Sequence, residues 1–265
     1  MTSSPLDGID ATRPSPARMY DFFLGGSNNF DVDRMMAERV TSVSRETVDV
    51  AKSNRQFLIN AVRYAAEKGI RQFLDIGSGL PSAQNVHEVA RAVAPDARTL
   101  YVDNDPSVLP HARALILGDE NTRYIQADAR DPKGVLSNAE TIRLLDFSQP
   151  VALLLVAVLH FIRDADDPRG IVSRFMSELP SGSMLILSHV TVDEIDPELW
   201  EKIQAANAQL PIQLNFRTGE EIRRFFDGLD LVEPGMVDCR AWTPGHAIPF
   251  EADALRAWCG VAIKR

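Results

Sequence analysis

Apolar positions along the chain change their spacing near residue 71. Before that point they recur at helical intervals. Met19, Phe22 and Phe23 predict a short amphipathic helix that Gly25 and Gly26 break. From about Asp33 to Lys68 the pattern is again helical, with Phe57, Leu58, Ala61, Val62 and Ala65 on one face and Gly69 as the stop. From Arg71 onward, short apolar runs alternate with helix-length amphipathic segments. Gln72–Ile76, Thr99–Val102, Arg123–Ala127, Val151–Leu159 and Met184–Ser188 predict five strands. Helices are predicted between them near 83–93, 107–117, 134–146 and 168–179, and after them near 196–208 and 219–228. Strand-like pieces at 229–237 and 258–264 complete the pattern.

This alternation predicts a mostly parallel sheet covered by helices on both faces. Val151–Leu159 is apolar at successive positions, as in a central strand buried on both sides. The change of texture divides the 265 residues into an N-terminal tail and helical extension, 1–70, and an α/β domain, 71–265. Three prolines among the first seventeen residues predict a loosely docked tail.

Composition narrows the class. The apolar fraction of 45% and charged fraction of 25% are those of a globular chain with a full core. A net charge of −9 (28 basic against 37 acidic side chains) makes a nucleic-acid backbone a poor partner. Cys239 and Cys259 show no metal-ligand spacing, so no metal site is expected. The longest apolar run is about half a membrane span, and the N-terminal residues lack the halves of a signal peptide. A cytoplasmic protein with no membrane partner is expected.

The candidate chemistry begins at F-L-D-I-G-S-G-L-P, 73–81, where an apolar strand ends in Asp75 and a Gly-x-Gly turn leads into a helix. Gly77 and Gly79 let the backbone approach a ligand, and the ends of such strands are where open α/β sheets bind nucleosides. Ser82 stands where a full dinucleotide fingerprint has its third glycine, which disfavours a pyrophosphate. Asp103, some two dozen residues on and ending the second strand, can accept both hydroxyls of a ribose. Asp105 next to Pro106 reads as a helix cap. Asp128 ends the third strand, with the Ala129 amide beside it, both placed to meet an adenine. Three acidic strand ends after a phosphate-free glycine turn favour S-adenosylmethionine over NAD.

These residues resemble a family of S-adenosylmethionine-dependent methyltransferases long catalogued as a domain of unknown function. The likeness runs through P-x-P-A-R-x-Y-D and L-G-G-x-x-N-F-x-x-D-R at 14–34, R-Q-F-L-D-I-G-S-G-L-P at 71–81 and N-V-H-E-V-A at 85–90. It continues through Y-V-D-N-D-P at 101–106, L-L-V-A-V-L-H-F at 154–161, G-S-M-L-I-L-S-H at 182–189 and F-F-D-G-L-D-L-V-E-P-G at 225–235. The resemblance implies a class I, Rossmann-like methyltransferase fold: a seven-stranded, mostly parallel sheet whose last strand is antiparallel, with an N-terminal extension over the cleft. It implies that Asp75, Gly77 and Gly79 lie under the methionine part of the cofactor, Asp103 at the ribose, and Asp128 and Ala129 at the adenine, with Asn104 also among the cofactor-binding residues. Val156 and the loop that runs from it to His160 would line the pocket beside the reactive methyl group.

Tyr20, Gly25 and Gly26, with Asn28 and Asn29, suit a lid over a charged amino-acid tail, and Arg18 is expected to bind the tail's carboxylate. His160, ending the central strand, is the candidate general base or substrate orienter, while His87 and His189 read as structural. A small-molecule acceptor, with the protein a monomer or homodimer, is the expected reading. A non-catalytic cofactor-binding sensor and an NAD-dependent oxidoreductase are the alternatives.

Overall fold

A computed structural model describes residues 10–244, 246–247 and 255–265. The chain runs α1 (Pro16–Phe23), α2 (Asp31–Val43), α3 (Glu46–Glu67), β1 (Gln72–Ile76), α4 (Val86–Val93), β2 (Arg98–Asp103), α5 (Val108–Leu115) and β3 (Thr122–Gln126). It continues α6 (Pro132–Leu136), α7 (Ala139–Leu144), β4 (Ala152–Val156), α8 (Pro168–Glu178), β5 (Met184–Val190), α9 (Pro197–Asn207) and α10 (Gly219–Arg223). Short pieces β6 (Asp230–Leu231), β7 (Val237–Asp238), β8 (Trp242–Thr243) and β9 (His246–Ala247) precede β10 (Ala257–Ile263).

The main sheet has the order β3-β2-β1-β4-β5-β10-β6, with β7 paired to β10. Strands β1 to β5 are parallel, and β10 is antiparallel to β5, β6 and β7. The five parallel strands therefore present their carboxyl ends along one edge. Alternate residues of the central strands face opposite layers, as the pleat requires. Phe73, Ala152, Leu154 and Ile186 pack with Phe57, Ala61, Val62 and Val89 of α3 and α4. Leu74, Leu153, Leu155 and Leu185 pack with Leu144, Ile171 and Phe175 beneath the other face. Helix α3 thus shares the core of the sheet.

Several expectations change. Among the described residues the sheet has eight strands rather than seven, because the segment before β10 adds the short β7 alongside it. The apolar run at 151–159 leaves the sheet at Val156, since Ala157 takes a left-handed conformation (φ 56°) and Leu159–Phe161 curl into a 3-10 turn. The helix expected over 134–146 is two helices, divided where the Asn138 side chain accepts from the Glu140 amide and caps α7. The segment 33–68 likewise breaks at Ser44, which bonds Glu46 and starts a new helix. Residues 1–9 of the expected tail lie outside the described residues. The segment just before α1 is docked: Ser15 donates to Asp33 and, through its hydroxyl, to Asp105 beyond β2.

Candidate cofactor and methyl-transfer site

The glycine turn sits on the carboxyl edge of the sheet. Its backbone is anchored by Gly77 and Ser78 N–H groups donating to Val102 O at 2.7 and 3.1 Å. Gly77 (φ 70°) has no room for a side chain, because a Cβ would meet Val158 Cγ2 at 2.5 Å. Gly79 (φ 64°) is different: its Cβ direction points into open space. The first glycine serves packing against the loop after β4, and the second keeps a cradle open.

Asp75 is buried at the end of β1, 5% exposed, and its carboxylate accepts no hydrogen bond among the described residues. Burial pushes its pKa up to about 7, against the opposing field of Arg55. A carboxylate kept at that cost without a partner is suited to a cation. Asp103, also buried, accepts from Gly79 N (2.7 Å) and Asp105 N (2.9 Å), and desolvation raises its pKa. The Asn104 backbone also acts on this carboxylate, which with about four acceptor positions still has capacity for a ribose hydroxyl. Asp128 is half buried and held by Arg130, whose Nε donates at 3.0 Å and whose pairing lowers the carboxyl pKa. The Asn104 side chain also acts on Asp128, which joins the second and third strand ends. Ala129 is half buried beside it.

Asp105 has a wider role than a local cap. One oxygen accepts from Ser107 N at 2.8 Å, and the other receives the Ser15 hydroxyl, tying the N-terminal extension to the sheet.

Arg18 corrects an expectation. It is buried, with Nε 2.7 Å from Asp33 and Nη2 donating to Asp10 O and Arg13 O, so its charge is committed within the N-terminal extension. The glycine loop is likewise built around Asp21, whose carboxylate accepts from Asn28 N and Asn29 Nδ2. A side chain on Gly26 would collide with that carboxylate at 2.1 Å. Gly25 (φ 80°) is exposed and makes the turn out of α1.

Tyr20 opens a polar chain that crosses the site. Its hydroxyl donates to Ala51 O (3.1 Å) and accepts from Asn54 Nδ2 (2.8 Å), while burial raises its pKa to about 12. Asn54 Oδ1 accepts from the Ser188 hydroxyl at 2.5 Å, and Ser188 Oγ accepts from Ala157 N at 2.9 Å. The extension therefore reaches the strained residue just after Val156.

The loop beyond Ala157 is clamped from outside the sheet. Arg217 is 4% exposed and donates to Leu159 O, Ile162 O, Asp164 and His189 Nε2. His189 Nδ1 lies 2.6 Å from Val190 O, so it carries the proton and Nε2 is the acceptor. Asn215 donates twice to His160 O. His160 is buried between Phe161 and His189, and its Nδ1 has no hydrogen-bond partner among the described residues. Desolvation, with the nearby Arg217 charge, lowers its pKa to about 3. It is therefore neutral and a weak base at neutral pH. His87 has a structural role, its Nδ1 2.7 Å from the Tyr101 hydroxyl.

Two cavities among the described residues lie apart from these strand-end residues. One of about 360 Å³ lies at the amino ends of the strands, among Gly69, Arg71, Asp96 and Arg98. A shallow hollow of about 290 Å³ is lined by Trp200, Asn207, Leu214 and Phe216. The candidate site is marked by its unpaired buried groups instead. Sequence reasoning missed Arg55, Asn54, Ser188 and Arg217. Ser188 lies inside the G-S-M-L-I-L-S-H motif, which could have pointed to it, whereas Arg55 reads as the solvent face of a helix and Arg217 carries no signal.

A parallel sheet in this order, with an antiparallel strand inserted beside β5 and acidic strand ends around a glycine turn, defines a Rossmann-like fold of the class I methyltransferase type. A sequence-family model described as S-adenosyl methyltransferase matches residues 2–265, and the chain belongs to that family. It is 38% identical to a candidate methyltransferase from Thermobifida fusca, each chain covered in full, with a TM-score of 0.89. It is 36% identical to a DUF574 family protein from Streptomyces avermitilis over 97% of this chain and 99% of that one, with a TM-score of 0.90. The N-methyltransferase NodS from Bradyrhizobium japonicum shares the fold at 15% identity, covering 80% of this chain and 97% of its own, with a TM-score of 0.50. No curated protein matches the sequence. The cofactor is S-adenosylmethionine, and the reaction is methyl transfer. The residues present fit that cofactor: an open cradle at Gly79, a desolvated carboxylate at Asp75 and spare acceptor positions on Asp103. No helix among the described residues is long and apolar enough to cross a membrane. Nor do those residues include three or more His, Cys, Asp or Glu placed to hold a metal.

Proposed function

We propose that the protein methylates a small molecule held beside the loop 157–164, as a cytoplasmic monomer or homodimer with no nucleic-acid or membrane partner. The observation that carries this is the buried His160 Nδ1, without a hydrogen-bond partner among the described residues, beside the loop after β4. A buried imidazole nitrogen without a partner lies next to a strained backbone that neighbouring elements hold in place. An unpaired buried polar atom costs about 1–3 kcal/mol and persists where a ligand completes it.

When bound, the cofactor supplies an electrophilic methyl group on a sulfonium, which departs as a neutral thioether. Asp75, Gly77 and Gly79 hold the methionine part, Asp103 with Asn104 the ribose, and Asp128 with Ala129 the adenine. Tyr20, Gly25 and Gly26 close over the groove from the N-terminal side. Val156 and Ala157 form its floor. His160, neutral at working pH, orients the acceptor by a hydrogen bond rather than taking its proton as a strong base. Positioning of this kind can contribute about 7–11 kcal/mol, so in-line transfer does not require a general base. The acidic surface makes a nucleic-acid acceptor unfavourable.

Thermal shift should show stabilisation by S-adenosylmethionine and its demethylated product but not by NAD; stabilisation by NAD alone sinks the reading. Incubation with methyl-labelled cofactor and fractionated metabolites should then give enzyme-dependent label in a small molecule. Label found in protein or RNA would replace the acceptor class proposed here.

A further inference from the structure

Arg55 lies on α3 beside the loop that leaves the glycine turn. Its neighbour Asn54 reaches Ser188 near the end of β5, so Arg55 stands level with the strand ends. Its Nη2 donates to Ala83 O (3.0 Å) and Gln84 O (2.8 Å), in the loop after Gly79. Gln84 itself is held in a left-handed conformation (φ 59°). The guanidinium thus spans from the N-terminal extension to the glycine loop. Its Nε is buried and has no acceptor among the described residues. Its field reaches Asp75, yet the two make no ion pair among the described residues. Arg18, also in the extension, has Nε and Nη2 engaged by Asp33 and two carbonyls.

We infer that Arg55 Nε binds the α-carboxylate of the cofactor's methionine tail, and that Arg55 and Asp75 together form a clamp for an amino-acid zwitterion. Arg55 takes the carboxylate and Asp75 the ammonium group. This rests on the cofactor reading above and adds a residue to it. A buried guanidinium Nε without an acceptor and a buried carboxylate without a donor, close enough to feel each other's charge but not paired, match a ligand carrying both opposite charges. Nη2 stays with Ala83 and Gln84, so the carboxylate would meet a guanidinium already fixed in place, which lowers the ordering cost of binding.

The experiment compares two probes by calorimetry. S-Adenosylhomocysteine carries the amino-acid tail; 5′-methylthioadenosine has the same nucleoside and a thioether but no carboxylate. Arg55→Gln should weaken S-adenosylhomocysteine about tenfold or more, the loss of a charged hydrogen bond, while 5′-methylthioadenosine changes less than about twofold. Arg55→Lys, which keeps the charge, should recover part of the loss. Equal weakening of both probes would mean that Arg55 only supports the Ala83–Gln84 loop, and no weakening of either would mean that the carboxylate goes elsewhere; each overturns the inference. Wild-type protein that binds neither probe would instead overturn the cofactor reading.

Discussion

Asp33 and Asp75 are both buried carboxylates with an arginine at hand, and the chain uses them in opposite ways. Asp33 is closed. It accepts from Ser15 N (2.9 Å), Phe30 N (2.8 Å) and Arg18 Nε (2.7 Å), so charge and hydrogen-bonding capacity are consumed in fixing the extension. Asp75 is open: it feels the Arg55 charge, but among the described residues it has no ion pair with it and no donor on its oxygens. The same residue types stabilise the fold in one place and are held against folding in the other. A buried charge with its partners supplied reports structure, whereas one left short of partners reports a ligand.

The largest test of this contrast removes each carboxylate's charge. Asp33→Asn leaves Arg18 buried without a counter-charge and should cost about 3–5 kcal/mol in urea unfolding. Asp75→Asn, measured at pH 8, should leave stability unchanged or raised while weakening S-adenosylmethionine. Comparable destabilisation by both would erase the distinction.

Next in size is Gly79→Ala. Left-handed backbone in a non-glycine residue costs about 1–2 kcal/mol, and the new methyl group occupies the open cradle. Cofactor affinity should therefore fall further than stability does; a loss confined to stability would mean that the space beside Gly79 holds no ligand.

The pH dependence sharpens the same comparison. The folded Asp75 pKa, about 7, lies above its ordinary 3.8, so its contribution to stability is present below 3.8 and lost as pH rises through 7. His160 runs the other way: its folded value near 3 lies below 6.5, so its contribution is present above 6.5 and lost as pH falls toward 3. A cationic tail binds the ionised form of Asp75. Affinity for S-adenosylmethionine should rise by up to about tenfold per pH unit below pH 7, about 1.4 kcal/mol, and then level off. Calorimetry in two buffers of different ionisation enthalpy should detect proton release at pH 6.5 in the wild type and none in Asp75→Asn.

The smallest effect is expected at Ser188. Ser188→Ala removes the link between Asn54 and Ala157 N and should lower stability by about 1 kcal/mol. Because that link sets the loop carrying His160, the acceptor's KM should rise more than the cofactor's Kd. Equal changes in both would make Ser188 a general support.

Much of the scaffold is legible in the sequence because it depends on local patterning. Gln72–Ile76 is the strand expected, and the apolar run at 151 onward does form the buried centre of the sheet as β4. The glycines at 77 and 79 and the acids at 75, 103 and 128 fall at strand ends because strand, turn and helix succeed one another within a few residues. The extent of β4 is not legible. Val158 and Leu159 are as apolar as the strand itself, but they pack against Gly77 and beneath the sheet rather than pairing in it.

The sequence by itself determined the α/β alternation, the glycine turn, the acidic strand ends and, through its motifs, the family. Only the tertiary structure decided which arginine has its Nε paired and which keeps a buried Nε without an acceptor among the described residues. Arg18 and Arg55 carry the same charge and both lie on helices of the extension, and no local pattern separates them. Their difference lies in what distant segments bring within hydrogen-bond reach: Asp33 and two carbonyls for one, among the described residues only the Ala83 and Gln84 carbonyls for the other. Electrostatic worth depends on burial and partners, and those are set by contacts between segments that only the folded chain brings together.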